Sequence, residues 1–442
     1  MRRQIYSHLK EWKNSPSRMP LLVRGARQIG KTYVIESFAK AEFEDYVIIN
    51  FEIHPEYKPC FSSLDPKIIL ERIEFIAKKN ITSGKTLLFL DEIQECPSAI
   101  QALRYFKEQY QTLHVIGAGS LLEFTLNEAE FRMPVGRVEF LYMYPLNFNE
   151  FLNALGHEKL IQHLSQTDIT SGIDPVAHEQ LLKHLKLFFV LGGMPAVVQT
   201  YINGESLQRC QGVQAFLLNT YRNDFGKYAS RANQQHCRRI FEKSPALIAQ
   251  HFKYSDIDPD VQSRSLKAAL HLLMQAGLLF PIYETQANVL PLNATINEKK
   301  FKLLFVDIGL VNFNTQLNAD ILIQDDLLLN DGALAEQFVG QELIAIQPNF
   351  HEPALYFWQQ NQRNDSAEVD YIIQHQNHIL PIEVKAGKTG RLRSLHAFLN
   401  KHNGSLGIKI SQEPLRFDGK VLSLPLYIIS ELSRILNSLQ GL

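Results

Sequence analysis

The chain has 442 residues, of which 45% are apolar and 21% charged, and its formal net charge is −1. That apolar content sustains globular packing and excludes a disordered chain, and the length suggests roughly two to four domains. A near-neutral balance gives no global electrostatic case for nucleic acid, although local patches stay open.

The start, Met1-Arg2-Arg3-Gln4, leads into an amphipathic stretch with no signal core. No run of about 18 apolar residues is available to span a bilayer. The cysteines Cys60, Cys96, Cys210 and Cys237 form no C-x-x-C pair, which argues against a zinc ribbon or thioredoxin-like site and reads as free thiols in a reducing compartment. The expected setting is cytoplasmic, with no membrane partner.

In chain order, the first predicted strand is Leu21–Val23. Behind it stands Gly25-Ala26-Arg27-Gln28-Ile29-Gly30-Lys31-Thr32, with the spacing G-x-x-x-x-G-K-[ST], and then a helical stretch, Tyr33–Lys40. Strand, loop and helix in that order form a phosphate-binding loop, because the glycines let consecutive N–H groups turn toward phosphate oxygens. The positive end of the following helix adds to the attraction. Lys31 is expected to reach the β- and γ-phosphates, and the Thr32 hydroxyl to ligate Mg²⁺. ATP with Mg²⁺ is therefore the expected cofactor pair.

A second strand is predicted over Tyr46–Phe51. The third, Thr86–Leu90, is an apolar run too short for a typical helix and ends in Asp91 and Glu92. Such runs suit buried parallel strands. Ligands meet the carboxyl ends of strands in a doubly wound sheet, which places Asp91 to hold the Mg²⁺ shell and Glu92 to polarise the attacking water. The fourth strand, His114–Gly117, runs into Ala118-Gly119-Ser120. Ser120 is a candidate for sensing the γ-phosphate or orienting water, and equally for capping a helix that opens at Leu121. Arg137 precedes a fifth strand, Val138–Tyr142. It is a candidate to reach a neighbouring subunit's γ-phosphate, or an ordinary surface arginine; Arg132 is a second, poorer candidate. Alternating β and α segments imply a parallel sheet with helices on both faces.

The phosphate loop, the Leu87-Leu88-Phe89-Leu90-Asp91-Glu92 strand, Ser120, Gly136-Arg137 and Pro145-Leu146-Asn147-Phe148-Asn149-Glu150-Phe151 together resemble the AAA+-type P-loop ATPases found widely in bacteria and archaea. Those proteins carry a C-terminal domain of unknown function. The resemblance continues through Gly192-Gly193-Met194-Pro195 and Tyr221-Arg222-Asn223-Asp224 and covers nearly the whole chain. It implies an ATPase fold. The chain departs from it at Ser120, where AAA+ proteins more often carry Asn or Thr, and that departure bears on how efficiently ATP is hydrolysed.

Residues 150–230 read as helical, with Leu181, Leu182, Leu185, Phe188 and Phe189 three and four apart, and they suggest a lid or connecting bundle. Further on, helices are predicted over Ile240–Phe252 and Ser263–Gly277, followed by strands over Leu278–Tyr283 and Phe301–Asp307. Helices followed by a β-ribbon fit a winged helix. As a DNA reader it would present the Ser263–Gly277 helix, whose exposed cations are Arg264 and Lys267; packing against protein is the competing reading.

In the tail, a helix over Ala333–Ile346 carries Glu336, and strands are predicted over Leu355–Gln359, Glu368–Ile373 and Ile379–Ala386. Strand alternation puts Glu383 and Lys385 on one face. Asp370 and Glu383 on adjacent strands are expected to converge on one or two Mg²⁺ or Mn²⁺ ions, with Lys385 positioning water and Glu336 adding a ligand. Glu336, Asp370 and Glu383-x-Lys385 look like the core of PD-(D/E)xK nucleases, and that resemblance implies metal-dependent cleavage of DNA. Between Ala386 and Gln412 there is no acid, while Lys388, Arg391, Arg393, Lys401 and Lys409 supply five cations. Such a run suits a phosphate backbone or a solvated helix face.

The expected organisation is an AAA+-type ATPase domain over 1–155, a helical lid over 156–232, a winged-helix-like unit over 233–318 and a nuclease-like α/β unit over 319–442. The expected function is ATP binding, with Mg²⁺-dependent hydrolysis driving a conformational switch. The alternatives are an ATP-gated nuclease acting on DNA and a non-enzymatic module that binds DNA or protein. A homo-oligomer is the arrangement in which Arg137 acts on a neighbour.

Overall fold

The computed structural model describes residues 1–126, 136–314, 330–362, 365–387 and 392–439; Arg132, Lys388 and Arg391 lie outside these. The short apolar runs of the N-terminal third fold as β1 (Leu21–Arg24), β2 (Asp45–Asn50), β3 (Thr86–Asp91), β4 (His114–Ala118) and β5 (Glu139–Tyr142). All pair in parallel, in the order β2-β3-β4-β1-β5. β3 and β4 are buried along their whole length, which is why they read as unbroken apolar runs rather than alternating ones.

Strand alternation then divides the side chains between two cores. Leu21, Val23, Leu87, Phe89 and Ile116 pack on one face with Val34, Ile35 and Phe38 of the helix Lys31–Glu42. Leu22, Leu88, Leu90 and Val115 pack on the other with Ile100, Leu103 and Phe106 of the helix Pro97–Gln109. Helices on both faces of a parallel sheet are the α/β architecture expected.

The middle of the chain is helical, as the spacing indicated: Phe148–Ala154, Glu158–Gln166, Pro175–Leu191, Pro195–Ile202 and Leu207–Tyr228. The helix expected over Ile240–Phe252 is displaced. It runs from Arg231 to Lys243, and Ser244–Leu247 tighten into a 3₁₀ turn. Pro245 is the reason, because it lacks the N–H that would continue the α-helical ladder to Phe241, while Ser244 itself keeps helical angles. The next helix, Ser263–Gln275, lies within its expected bounds.

The ribbon β6 (Leu279–Thr285) and β7 (Ile296–Phe305) does not stand apart as a wing. It forms two strands of one eight-stranded sheet with β8 (Leu355–Gln362), β9 (Asp365–His375), β10 (His378–Val384), β11 (Gly407–Ser411), β12 (Arg416–Phe417) and β13 (Val421–Pro425). The order is β12-β13-β11-β10-β9-β8-β6-β7, with β6 pairing in parallel with β8. No helix among the described residues is long and apolar enough to cross a membrane.

Two motifs singled out in the sequence meet where these parts join. Asn147 and Glu150 form a capping box on the helix Phe148–Ala154, and Glu150 also holds Arg3 at 3.0 Å. The Phe148 N–H donates to the buried Glu342 Oε1 at 2.9 Å. Leu146 N–H donates to the Gly193 carbonyl at 2.7 Å, and Gly193 N–H donates to Asp307 Oδ2 at 2.6 Å. A Cβ on Gly193 would stand 2.0 Å from the Leu146 carbonyl oxygen, so only glycine fits there.

Burial pushes Asp307 up to about 6 and Glu342 up to about 8. Both carboxyls therefore hold their protons more tightly folded than unfolded. Their contribution to stability is full below the unfolded range and is lost as pH rises through the folded values. Of the fall in unfolding free energy seen in denaturant titrations between about pH 6.5 and 8, these two carboxyls are expected to contribute about 1–2 kcal/mol. Glu342→Gln, whose amide oxygen still accepts from Phe148, should flatten that fall; an unchanged slope would remove Glu342 as its source.

Candidate functional site

The loop Gly25–Thr32 leaves β1 at its carboxyl end and enters the helix Lys31–Glu42. Gly25 sits at φ +139°, and a Cβ there would lie 2.1 Å from the Met143 carbonyl oxygen. Only a residue without a side chain allows that approach. Lys31 is buried, and its Nζ donates to the carbonyl oxygens of Gly25 and Ala26, both at 2.8 Å. Burial lowers its pKa to about 8, against the pull of Glu92 and Asp91.

Asp91 ends β3 and is buried. Its Oδ2 accepts from the Thr32 hydroxyl at 3.0 Å and from Asn50 Nδ2 at 2.9 Å. Burial and the neighbouring Glu92 carboxylate raise its pKa. The fold thus brings Lys31, Thr32 and Asp91 together at the carboxyl ends of β1 and β3. Glu92 follows in a left-handed conformation, φ +47°, sparsely populated by residues other than glycine. Its Oε2 accepts from Gln94 Nε2 at 2.6 Å.

Ser120 is buried just beyond β4. With Gly25 and Ala26 it lines a cavity of about 810 Å³ that continues to Tyr144, His271 and Phe280. Arg137 stands elsewhere: it precedes β5 at the amino ends of the strands, is exposed, and pairs with Glu108 at 3.2 Å. A second cavity, of about 270 Å³, opens beside Gly30 and is lined by Arg3, Tyr33, Pro195 and Gln199 among others.

Three residues of this site escaped the sequence reading. Asn50 ends β2 at the same edge as Asp91, so the rule that located Asp91 applied to it as well. Gln94 gave no such signal. Arg3 donates to the Ile29 carbonyl oxygen at 3.0 Å and to Glu150, 147 positions away, a pairing that no local pattern encodes.

The C-terminal set also converges, but with company. Glu336 lies on the helix Gly332–Ala345, Asp370 on β9, Glu383 on β10 and Lys385 just after it. Lys385 Nζ donates to Glu383 Oε1 at 2.6 Å, and Asp370 Oδ2 accepts from the Val384 N–H at 2.7 Å. Among the described residues, Glu383 Oε2 has no partner.

Lys302 of β7, unanticipated from sequence, is buried among these acids. Its ammonium lies 3.5 Å from Glu336 Oε2 and bonds Glu368 of β9. His251 takes the other Glu368 oxygen at 2.7 Å. Four carboxylates thus face two ammoniums; three of the acids are pushed toward the protonated form, whereas Glu368, despite its burial, is held below its ordinary value by His251 and Lys302. Burial, then Asp370, pushes Glu336 up to about 8 and Glu383 up to about 7, and burial raises Asp370.

Of the tail cations, Lys409 is buried and pairs with Glu413 at 2.8 Å, and Lys401 lies over the Trp358 ring. Among the described residues, no three His, Cys, Asp or Glu side chains are placed to hold a metal ion.

Residues 17–152 match the family of AAA domains, residues 182–320 a domain of unknown function (DUF8612), and residues 331–427 another domain of unknown function (DUF4143). The N-terminal unit is thus an AAA-type P-loop ATPase domain. Among solved structures, the chain is similar to the Walker-type ATPase PABY2304 of Pyrococcus abyssi, at 14% identity over 71% of this chain and 95% of that one, with a TM-score of 0.45. It is also similar to the ORC2 protein of Aeropyrum pernix, at 12% identity over 73% and 94%, TM-score 0.36. A third likeness is to the ORC1 protein of Aeropyrum pernix in complex with DNA, at 11% over 72% and 93%, TM-score 0.31. Likenesses this distant decide nothing about function. Comparison with curated proteins gives no match.

Removing the buried Lys302 ammonium leaves Glu336 and Glu368 without their shared partner. Lys302→Met is expected to cost about 3 kcal/mol of stability. Lys300→Met, which breaks the more exposed pair with Glu284, should cost less than about 1 kcal/mol. Equal losses in chemical denaturation would show that the buried cluster carries no special weight.

Proposed function

We propose that this chain is an ATP-driven switch. One observation carries the reading: the Thr32 hydroxyl and the Asp91 carboxylate meet at 3.0 Å beside a buried Lys31. A hydroxyl and a carboxylate steadied by Asn50 fit Mg²⁺, which takes oxygen ligands and shares them with phosphates. Bound Mg²⁺ supplies charge neutralisation at the β- and γ-phosphates.

The remaining work falls to the chain. Loop N–H groups from Gly25 to Thr32 take the phosphate oxygens. Lys31 exchanges the Gly25 and Ala26 carbonyls for phosphate. Glu92, steadied by Gln94, accepts a proton from the attacking water, and Ser120 orients that water at the γ-phosphate. The cavity beside Gly30, lined by Tyr33 and Pro195, would take the nucleobase.

Arg137 is proposed to act on a neighbouring copy, which makes the working form a homo-oligomer. The buried free thiols support a cytoplasmic setting. Of the expected division at 155, 232 and 318, the units 233–318 and 319–442 share one sheet and are proposed to move together in response to ATP. By calorimetry with Mg²⁺, the wild type should bind ATP and Lys31→Ala should not. Glu92→Gln should keep binding and lower turnover about a hundredfold or more. Equal binding by wild type and Lys31→Ala would end this reading.

A second reading, a metal-dependent nuclease gated by ATP, is favoured by the convergence of Glu336, Asp370, Glu383 and Lys385 from separate elements. The residues as they stand do not fit a metal ion, because the Lys302 ammonium already stands among the carboxylates, and no step through Mg²⁺ or Mn²⁺ follows there. A third reading, a module that binds DNA or protein without cleavage, rests on Arg393 and on Arg264 and Lys267, which are exposed on the helix Ser263–Gln275. Labelled DNA incubated with Mn²⁺ separates the two. Cleavage lost in Asp370→Ala supports the nuclease, and salt-sensitive binding without cleavage supports the module.

A further inference from the structure

The phosphate loop carries a second cation besides Lys31. Arg27 stands midway along it, and its guanidinium is already engaged. Nη1 donates to Asp224 Oδ1 at 2.6 Å, and Nη2 donates to Glu52 Oε2 at 3.3 Å. The backbone is held at the same point, because the Tyr221 hydroxyl donates to the Arg27 carbonyl oxygen at 2.9 Å. Tyr221 and Asp224 lie three apart on one face of the helix Leu207–Tyr228. Both are buried. One face of a single helix thus grips the side chain and the main chain of one loop residue.

Arg27 also lies beside the chemistry. It directly follows Gly25 and Ala26, whose carbonyls hold Lys31, and with Asp224 it lines a small cavity shared with Ser120. A triphosphate seated against Lys31 brings several negative charges to the same neighbourhood. Guanidinium binds phosphate oxygens and carboxylates with the same fork of donors. The γ-phosphate and Asp224 therefore compete for one group.

We propose that Arg27 is a catalytic arginine acting in cis on the γ-phosphate, and that Asp224 is a positioning residue whose carboxylate Arg27 gives up when ATP binds. The inference rests on the ATP-binding reading above and goes beyond it by assigning the helix Leu207–Tyr228 as the element that reads which nucleotide is present. ADP has no γ-phosphate, so it leaves the Arg27–Asp224 bond in place. Coupling of this kind is reciprocal: if ATP weakens the bond to Asp224, removing that bond strengthens ATP binding by the same factor.

The test uses the full chain as wild type, Lys31→Ala, Arg27→Ala, Arg27→Lys and Asp224→Asn. Mg-ATP and Mg-ADP binding are measured by calorimetry, and amide hydrogen exchange is followed along the helix Leu207–Tyr228. A charge-assisted hydrogen bond corresponds to roughly a ten- to hundredfold change in affinity. Arg27→Ala should lose about that much of the preference for ATP over ADP while keeping its affinity for ADP, and Arg27→Lys should recover part of it. Asp224→Asn should shift the preference the other way, toward ATP. In the wild type, exchange in the helix should rise with ATP and not with ADP, and Arg27→Ala should abolish that difference.

If wild type and Lys31→Ala both fail to bind nucleotide, the ATP reading falls and this inference with it. If wild type binds ATP and Lys31→Ala does not, yet Arg27→Ala and Asp224→Asn keep the wild-type ratio of ATP to ADP affinity, this inference alone is overturned.

Discussion

A phosphate loop is a curl of backbone whose N–H groups point inward at nothing until an anion arrives, so something outside the curl must hold its carbonyls. Here that support comes from several parts of the chain. Lys31 holds the Gly25 and Ala26 carbonyls from within, Arg3 holds the Ile29 carbonyl, and Tyr221 holds that of Arg27. Gly277, just past the helix Ser263–Gln275, comes so near that a Cβ on it would stand 3.3 Å from the Ala26 nitrogen. The loop is therefore the point at which the amino-terminal arm, the helical middle and the ribbon-bearing unit all touch.

The parallel sheet was legible because burial on both faces leaves an unambiguous trace, as in Thr86–Leu90. Asp91 was legible because a strand's carboxyl end in such a sheet is where ligands lie. Local rules also went far in the tail, where Glu336, Asp370, Glu383 and Lys385 do come together. They stopped at whatever depends on distant pairing. Lys302 reads as one more cation in an alternating strand, and only the pairing of β6 with β8 carries it to Glu336 and Glu368. Asp224 lies 197 positions from Arg27, and nothing near either residue announces the other.

The stretch Pro145–Phe151 and the Gly192-Gly193 pair illustrate a different limit. Both stood out as motifs, and their geometry accounts for them by packing rather than by contact with a reacting group. Leu146 and Gly193 exchange a backbone bond across two helical segments, Asp307 caps the helix Ile308–Phe313 while holding Gly193, and Glu342 reaches from the C-terminal unit to the first turn of Phe148–Ala154. These are the residues that fix how the ATPase sheet sits on the rest of the chain.

The eight-stranded sheet has a practical corollary for anyone dissecting the molecule. Ending a recombinant fragment near residue 314 would strip β8 from β6 and leave a row of backbone donors and acceptors bare along a freshly cut border. Exposed borders of that kind recruit other chains. A clean excision of the amino-terminal half would have to stop before Leu279, on the helical side of the ribbon, to remain dispersed in solution.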